Sequence, residues 1–225
     1  MKTKLLLLAC MMLSCLASCS ESKDEPFTGF DENTSTDTRQ TDVEYPFYYF
    51  KGEKIGLELS DTKSYVLFRE ADKEQLLVML SERGVKVYEE RMMPFQQSQV
   101  SKKGDAYDKY TDCLWLEVDL NYKELNELPE VIYAAPFERP RISNETWCPM
   151  TNKCYVYYGG NMDTLSKIVS DYKVELLGEL NVFAHNYVVL CTKESKGHAL
   201  EIANALYETG LFASCQAEFI DATAD

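Results

Sequence analysis

The apolar positions between residues 45 and 220 run through the same order of elements twice. In the first pass, SYVLFRE (64–70) reads as a strand and DKEQLLVMLSERG (72–84) as a helix, with Leu76, Leu77 and Leu80 inward and Gly84 as its stop. VKVYEERM and CLWLEVD follow as strands, YKELNELPE as a short helix ended by Pro129, and VIYAAPFE as a strand. In the second pass, KCYVYYGG is a strand and MDTLSKIVSDYK a helix that Asp163 or Thr164 can cap, with Leu165, Ile168, Val169 and Tyr172 at helical spacing. VELLGEL and NYVVLCTKE are strands, HALEIANALYETG is a helix burying Ile202, Ala203 and Leu206 and stopped by Gly210, and LFASCQAEF closes the pass.

Strand-helix-strand-strand-helix-strand is the split βαβ, or ferredoxin-like, order, an antiparallel sheet with two helices on one face. The expected fold is therefore α+β: two tandem ferredoxin-like units, residues 45–140 and 153–220, joined by a linker at 141–152. The first unit opens with YPFYYFKGEKIGLEL, a short hairpin turning at Lys51-Gly52-Glu53. Its aromatic run Tyr45, Phe47, Tyr48, Tyr49 and Phe50 offers a contact surface for a sugar or peptide, with Tyr48 and Tyr49 foremost; packing across the ladder explains the same residues.

The amino terminus carries a different signal. Lys2 and Lys4 precede an apolar run too short for a membrane helix, which closes on Leu16-Ala17-Ser18-Cys19. Small residues before a cysteine resemble the lipobox of bacterial lipoproteins. The resemblance implies a signal at 1–18 and acylation of Cys19, against the alternative of an ordinary secretory signal. Residues 19–44 are rich in Ser, Thr, Asp and Glu without apolar period, so they read as a flexible acidic tether reaching on the order of 25–30 Å. Within it, Lys23-Asp24-Glu25 resembles the acidic export signal of surface lipoproteins in gut Gram-negative anaerobes; a solvated linker reads the same way. The expected place is the cell envelope, as an outer-membrane lipoprotein, with exposure at the surface and a periplasmic face both open.

Charge excludes one class of partner. The formal net charge is −14, and loss of Lys2 and Lys4 with the signal makes it more negative still. A phosphate backbone is repelled by that balance, and only SKK at 101–103, in a loop-like stretch, is locally basic. Nucleic acid is not an expected partner.

No chemistry-bearing constellation stands out. The two histidines, His185 and His198, read as a strand connection and a helix cap or first turn. There is no nucleophile beside a base, no carboxylate pair at a telling spacing, no phosphate-cradling glycine loop and no CxxC, so neither an enzyme nor a metal or cofactor site is expected. CPMTNKC offers a bridge between Cys148 and Cys154, while Cys113, Cys191 and Cys215 sit in apolar strand contexts as small hydrophobes.

YYFKGEKIGLEL near the start and ALEIANALYETGLFASCQAEFI at the end resemble the N-terminal pro-region of subtilisin-like serine proteases from gut Gram-negative anaerobes; VLFREADKEQLLVMLSERGV and VIYAAPFE fit more weakly. In that family a ferredoxin-like pro-domain packs its sheet on the peptidase and lays its C-terminal tail in the cleft. The resemblance implies a stand-alone lipoprotein without the peptidase domain, inhibiting or helping to fold a subtilisin-like protease in trans. The tail Asp221-Ala222-Thr223-Ala224-Asp225 would enter the cleft, at a reach of at most about 17 Å. The alternative is a surface-tethered glycan- or peptide-binding or structural module with no protease partner.

Overall fold

The computed structural model describes residues 46–140 and 146–220. The expected signal, the tether with Cys19 and Lys23-Asp24-Glu25, residues 141–145 and the tail Asp221–Asp225 lie outside the described residues. The strands are β1 (Phe47–Phe50), β2 (Glu53–Arg69), β3 (Val87–Pro94), β4 (Val100–Lys103), β5 (Cys113–Val118), β6 (Val131–Pro140), β7 (Cys148–Tyr157), β8 (Glu175–Leu180), β9 (Asn186–Leu190) and β10 (Ser214–Phe219). The α-helices are α1 (Lys73–Glu82), α2 (Tyr122–Asn126), α3 (Met162–Tyr172) and α4 (Ala199–Glu208).

The architecture is α+β. Among the described residues ten strands form one antiparallel sheet in the order β3-β5-β2-β6-β7-β9-β8-β4, with β1 on β2 and β10 on β7. Two separate sheets were expected, and the difference has a local cause. The expected linker 141–152 ends in five residues that are the start of β7, where Pro149 pairs with Phe137 and Cys148 with Glu138 of β6. Met150, Thr151 and Asn152 are buried there. A polar-looking stretch becomes strand because Asn152 and Thr151 find partners: the Asn152 amide donates to the Cys191 carbonyl at 3.0 Å, and the Thr151 hydroxyl to Glu218 at 2.8 Å.

Two more expectations change. The second strand of the N-terminal hairpin and SYVLFRE are one strand, the 17-residue β2, whose register with β6 shifts between Leu59 and Ser64. The tip is a two-residue turn with Lys51 at φ 50° and Gly52 at φ 84°, the twist that hairpins favour. SKK, expected in a loop, belongs to β4, which leaves the first half of the chain to pair with β8 in the second.

Alternation along β2 divides its residues between two cores. Val66 and Phe68 meet Leu76 and Leu80 of α1, Leu125 of α2, and Leu116 and Val118 of β5. Tyr65 and Leu67 face a larger core that also holds Trp115, Tyr133 and Phe137 together with second-half residues Met150, Val156, Leu165, Ile202 and Leu206. Each fully buried leucine or isoleucine contributes about 1.5–3 kcal/mol of transfer free energy. The helices stop near the expected glycines, Gly84 at φ 68° and Gly210 at φ 72°. The cap of α3 is Asn161, not Asp163 or Thr164: its side chain accepts from the Asp163 amide at 2.7 Å.

The Cys148–Cys154 bridge does not form. Both residues lie on β7, and six residues of extended chain at ~3.3 Å each put them about 20 Å apart, far beyond disulfide reach. Cys113, Cys154, Cys191 and Cys215 are buried.

Candidate functional site

The aromatic hairpin does not stand free. Phe47, Tyr48 and Tyr49 are half-buried, and β1 lies against α4. The Asn204 side-chain amide donates to the Phe47 carbonyl at 2.6 Å, and the Tyr49 hydroxyl donates to Glu208 at 2.7 Å. The Tyr49 and Tyr207 rings are 4.5 Å apart, and Lys54 lies 4.1 Å from the centre of the Phe47 ring. Asn204, Tyr207 and Glu208 stand at i, i+3 and i+4, so one face of α4 presents all three, while Ile202, Ala203 and Leu206 are buried. Burial, then the hydrogen bond and charge of Glu208, pushes the Tyr49 phenol up to about 12.

Two clefts flank this contact along β10. One, of about 260 Å³, is lined by Tyr48, Tyr49, Leu200, Ala203, Ala217 and Phe219 among others. The other, of about 290 Å³, lies between the hairpin tip at Lys51 and Gly52, Tyr207 and the start of β10. Tyr49, Cys215 and Gln216 border both. Tyr48 and Tyr49 are thus brought together in one apolar-walled cleft, and Gln216, exposed on β10, supplies a polar rim. Sequence reading did not find Asn204, Tyr207 and Glu208; the signal available was their shared face on an amphipathic helix.

The other sequence-derived positions have structural partners. His185 sits in the β8–β9 connection at φ 64°, and its amide donates to Glu179 at 2.9 Å. His198 is the residue before α4, and its amide donates to Glu201 at 2.9 Å. Burial holds the His198 imidazole below its ordinary value, against the opposing pull of Glu201. Its ring meets Tyr122 of α2 edge-on at 5.8 Å. Among the described residues no three of His, Cys, Asp and Glu are placed to hold a metal ion, and no helix is long and apolar enough to cross a membrane.

Parts of both faces of the sheet are covered by the chain itself. Tyr65, Trp115, Tyr133 and Phe137 are buried in the core shared with the second half. On β7, Lys153 is overlaid by the segment after β3: its ammonium donates to the Gln96 carbonyl at 2.7 Å and lies 5.1 Å from the Phe95 ring centre. Glu218, half-buried, completes this group, 3.3 Å from Lys153 and accepting from Tyr155 at 2.6 Å.

No family model and no curated protein matches the chain. Among solved structures it is similar to the crystal structure of the acetolactate synthase small subunit from Thermotoga maritima, at 10% identity and a TM-score of 0.23, over 72% of this chain and 98% of that one.

Proposed function

We propose that the chain is a non-catalytic lipoprotein of the cell envelope, held by an acylated Cys19, that binds a peptide or glycan through the cleft between its N-terminal hairpin and α4. The single observation carrying the binding reading is that Tyr48 and Tyr49 line one cleft of about 260 Å³ with apolar walls and a polar rim. The anchoring reading rests on Leu16-Ala17-Ser18-Cys19 alone. On this reading the sheet is two ferredoxin-like units fused through β6 and β7. What supports it is strand order: β6-β2-β5-β3 in the first half and β10-β7-β9-β8 in the second. Each places its first and third strands centrally and its second and fourth at the edges, as a split βαβ unit does.

The test is a peptide and glycan array probed with the purified protein and with two variants. Tyr48→Ala removes a wall, and Gln216→Trp fills the cleft from an exposed position. Binding by the native protein that both variants lose supports the reading. Equal binding by all three, or none by any, rejects it.

A second reading, inhibition or folding help for a subtilisin-like protease in trans, is favoured by the resemblance to protease pro-regions. The aromatic face of β2, β5 and β6 is closed to a docking protease by the core it shares with the second half, so on this reading a protease meets the tail or the hairpin end. The chain added to such a protease at micromolar concentration slows it on this reading; unchanged proteolysis rejects it.

A further inference from the structure

We propose that the loop tips gathered where β7 ends dock on the surface of the phospholipid bilayer that anchors the chain, a proposal that rests on the acylation of Cys19. Among the described residues, large exposed apolar side chains stand here at Phe50, Tyr157, Met162, Val182, Phe183 and Leu211; Val78, on α1, is the exception. The ladders bring the six to one end. Ser214 and Asn186, the first residues of β10 and β9, both pair with Tyr157, the last residue of β7. Leu211 leads into β10, Val182 and Phe183 lead into β9, and Met162 opens the helix that follows β7. Phe50 joins them because the hairpin tip, Lys51 and Gly52, shares a cleft with Tyr207, Ala213 and Ser214. Large exposed apolar groups gathered in this way mark a contact surface.

The β8–β9 tip is held in shape. The Asn181 amide donates to the Gln99 carbonyl at 3.0 Å, the His185 amide to Glu179 at 2.9 Å, and the Asn186 amide to the Phe183 carbonyl at 3.3 Å. Val182, 74% exposed, and Phe183 are thus presented on a pinned loop, which lowers the ordering cost of inserting them.

Charge sets this end apart. Its connections, residues 51–52, 158–161, 181–185 and 209–213, hold no Asp or Glu in a chain with 37, and they carry Lys51 and His185. At the opposite end, residues 191–198 between β9 and α4 carry Lys193, Glu194 and Lys196. Of the carboxylates that flank the tips, Glu179 is engaged by Lys102 at 2.9 Å and Glu208 by Tyr49 at 2.7 Å. Glu53 and Asp163 are exposed, at the first residue of β2 and in the first turn of α3. Lipid phosphates repel carboxylates, and a carboxylate is costly to bring among headgroups. An apolar end whose tips lack them is the part of this acidic chain that a bilayer admits, with side chains entering the boundary between headgroups and acyl chains. With Cys19 in the bilayer, a tether of residues 19–44 reaching on the order of 25–30 Å keeps the folded part beside that surface, so weak insertion is enough.

The test uses the full chain, as the producing cell processes it, in phosphatidylcholine vesicles; intact mass reads the acylation of Cys19 separately. One tryptophan is added as Val182→Trp, Leu211→Trp or, for the control, Val78→Trp. All three positions are exposed, and urea midpoints matching the native protein show that each variant folds. Bromine on the acyl chains quenches a tryptophan that touches it. The added emission of Val182→Trp and of Leu211→Trp should shift to the blue on vesicles and be lost with brominated lipid, more with bromine near the headgroup than near the chain end. Val78→Trp should keep its emission, and Val182→Asp combined with Leu211→Trp should restore it. Undiminished emission at both tips, or equal quenching of Val78→Trp, overturns the proposal. So does a blue shift without quenching, which would assign this end to a protein such as a second copy. A mass without acyl chains rejects anchoring through Cys19, and quenching at the tips would still uphold docking; an acylated chain without quenching keeps the anchor and overturns docking.

Discussion

The Tyr133 hydroxyl accepts a hydrogen bond from the Ala199 amide at 2.9 Å. Tyr133 belongs to β6 and Ala199 opens α4, so one phenol joins the two halves of the chain deep in the shared core. Amides in the first turn of a helix have no intrahelical partner, and burial makes an outside acceptor necessary. Tyr133→Phe keeps the ring and strands that amide. The expected loss is about 1–3 kcal/mol, read as a lower urea midpoint at unchanged slope. An unchanged midpoint would show that another group takes over the amide.

Glu117 sits between Lys63 at 2.6 Å and Arg91 at 2.7 Å, with its side chain 5% exposed. Burial opposes its ionisation, but the hydrogen bonds and charges of Lys63 and Arg91 outweigh it and hold the carboxyl below its ordinary value. A depressed folded-state value means stability that is fully present above the unfolded value near pH ~4.3 and is lost as pH falls through the folded value. Urea midpoints of the native protein should therefore fall on acidification below about pH 5 more steeply than those of Glu117→Gln. Parallel curves would show that Glu117 contributes nothing to the acid limb.

Gly178 holds β4 against β8. Its φ is 148°, and a Cβ there would collide with the Lys102 carbonyl. Gly178→Ala should detach β4 while leaving the ladder between β8 and β9 in place. Hydrogen exchange decides it: amides of Val100–Lys103 should lose protection while those of Asn186–Leu190 keep theirs. Loss at both places would mean that the edge strand is needed for the whole sheet.

Lys153→Met keeps the aliphatic stem against Phe95 but leaves Glu218 without its cation. Glu218 still accepts from Thr151 and Tyr155. Breaking one side of a buried pair costs about 3–5 kcal/mol, and the 24% exposure of Glu218 puts the expectation at the lower end. Lys153→Met with Glu218→Gln should recover part of that loss in a double-mutant cycle. A double variant as unstable as the two single losses added together would show that the charges are not coupled.

Elements with strong apolar period were legible in the sequence. Leu165 and Ile168 of α3, and Ile202, Ala203 and Leu206 of α4, face the core as their spacing requires. The hairpin tip was legible too, since Lys51-Gly52 suits a left-handed turn. What escaped was long-range and polar. β4 carries three exposed polar residues, and only its partner β8 makes it a strand. Thr151-Asn152 looks like linker until Glu218 and Cys191, far along the chain, supply the hydrogen bonds. The clefts beside Tyr49 are equally non-local, because the aromatic run is local but its wall on α4 is more than a hundred residues away. The Cys148–Cys154 expectation failed for the opposite reason: nearness along the chain says nothing about nearness in space once the segment is extended.

One strand of four residues belongs to one half by sequence and to the other by hydrogen bonding. A backbone severed between β6 and β7 would thus leave β4 in the first fragment without its partner β8, and the second fragment short of that edge strand and of its hairpin brace. Such fragments are complementary in shape, and co-expressed they should recombine like a split reporter where neither alone accumulates.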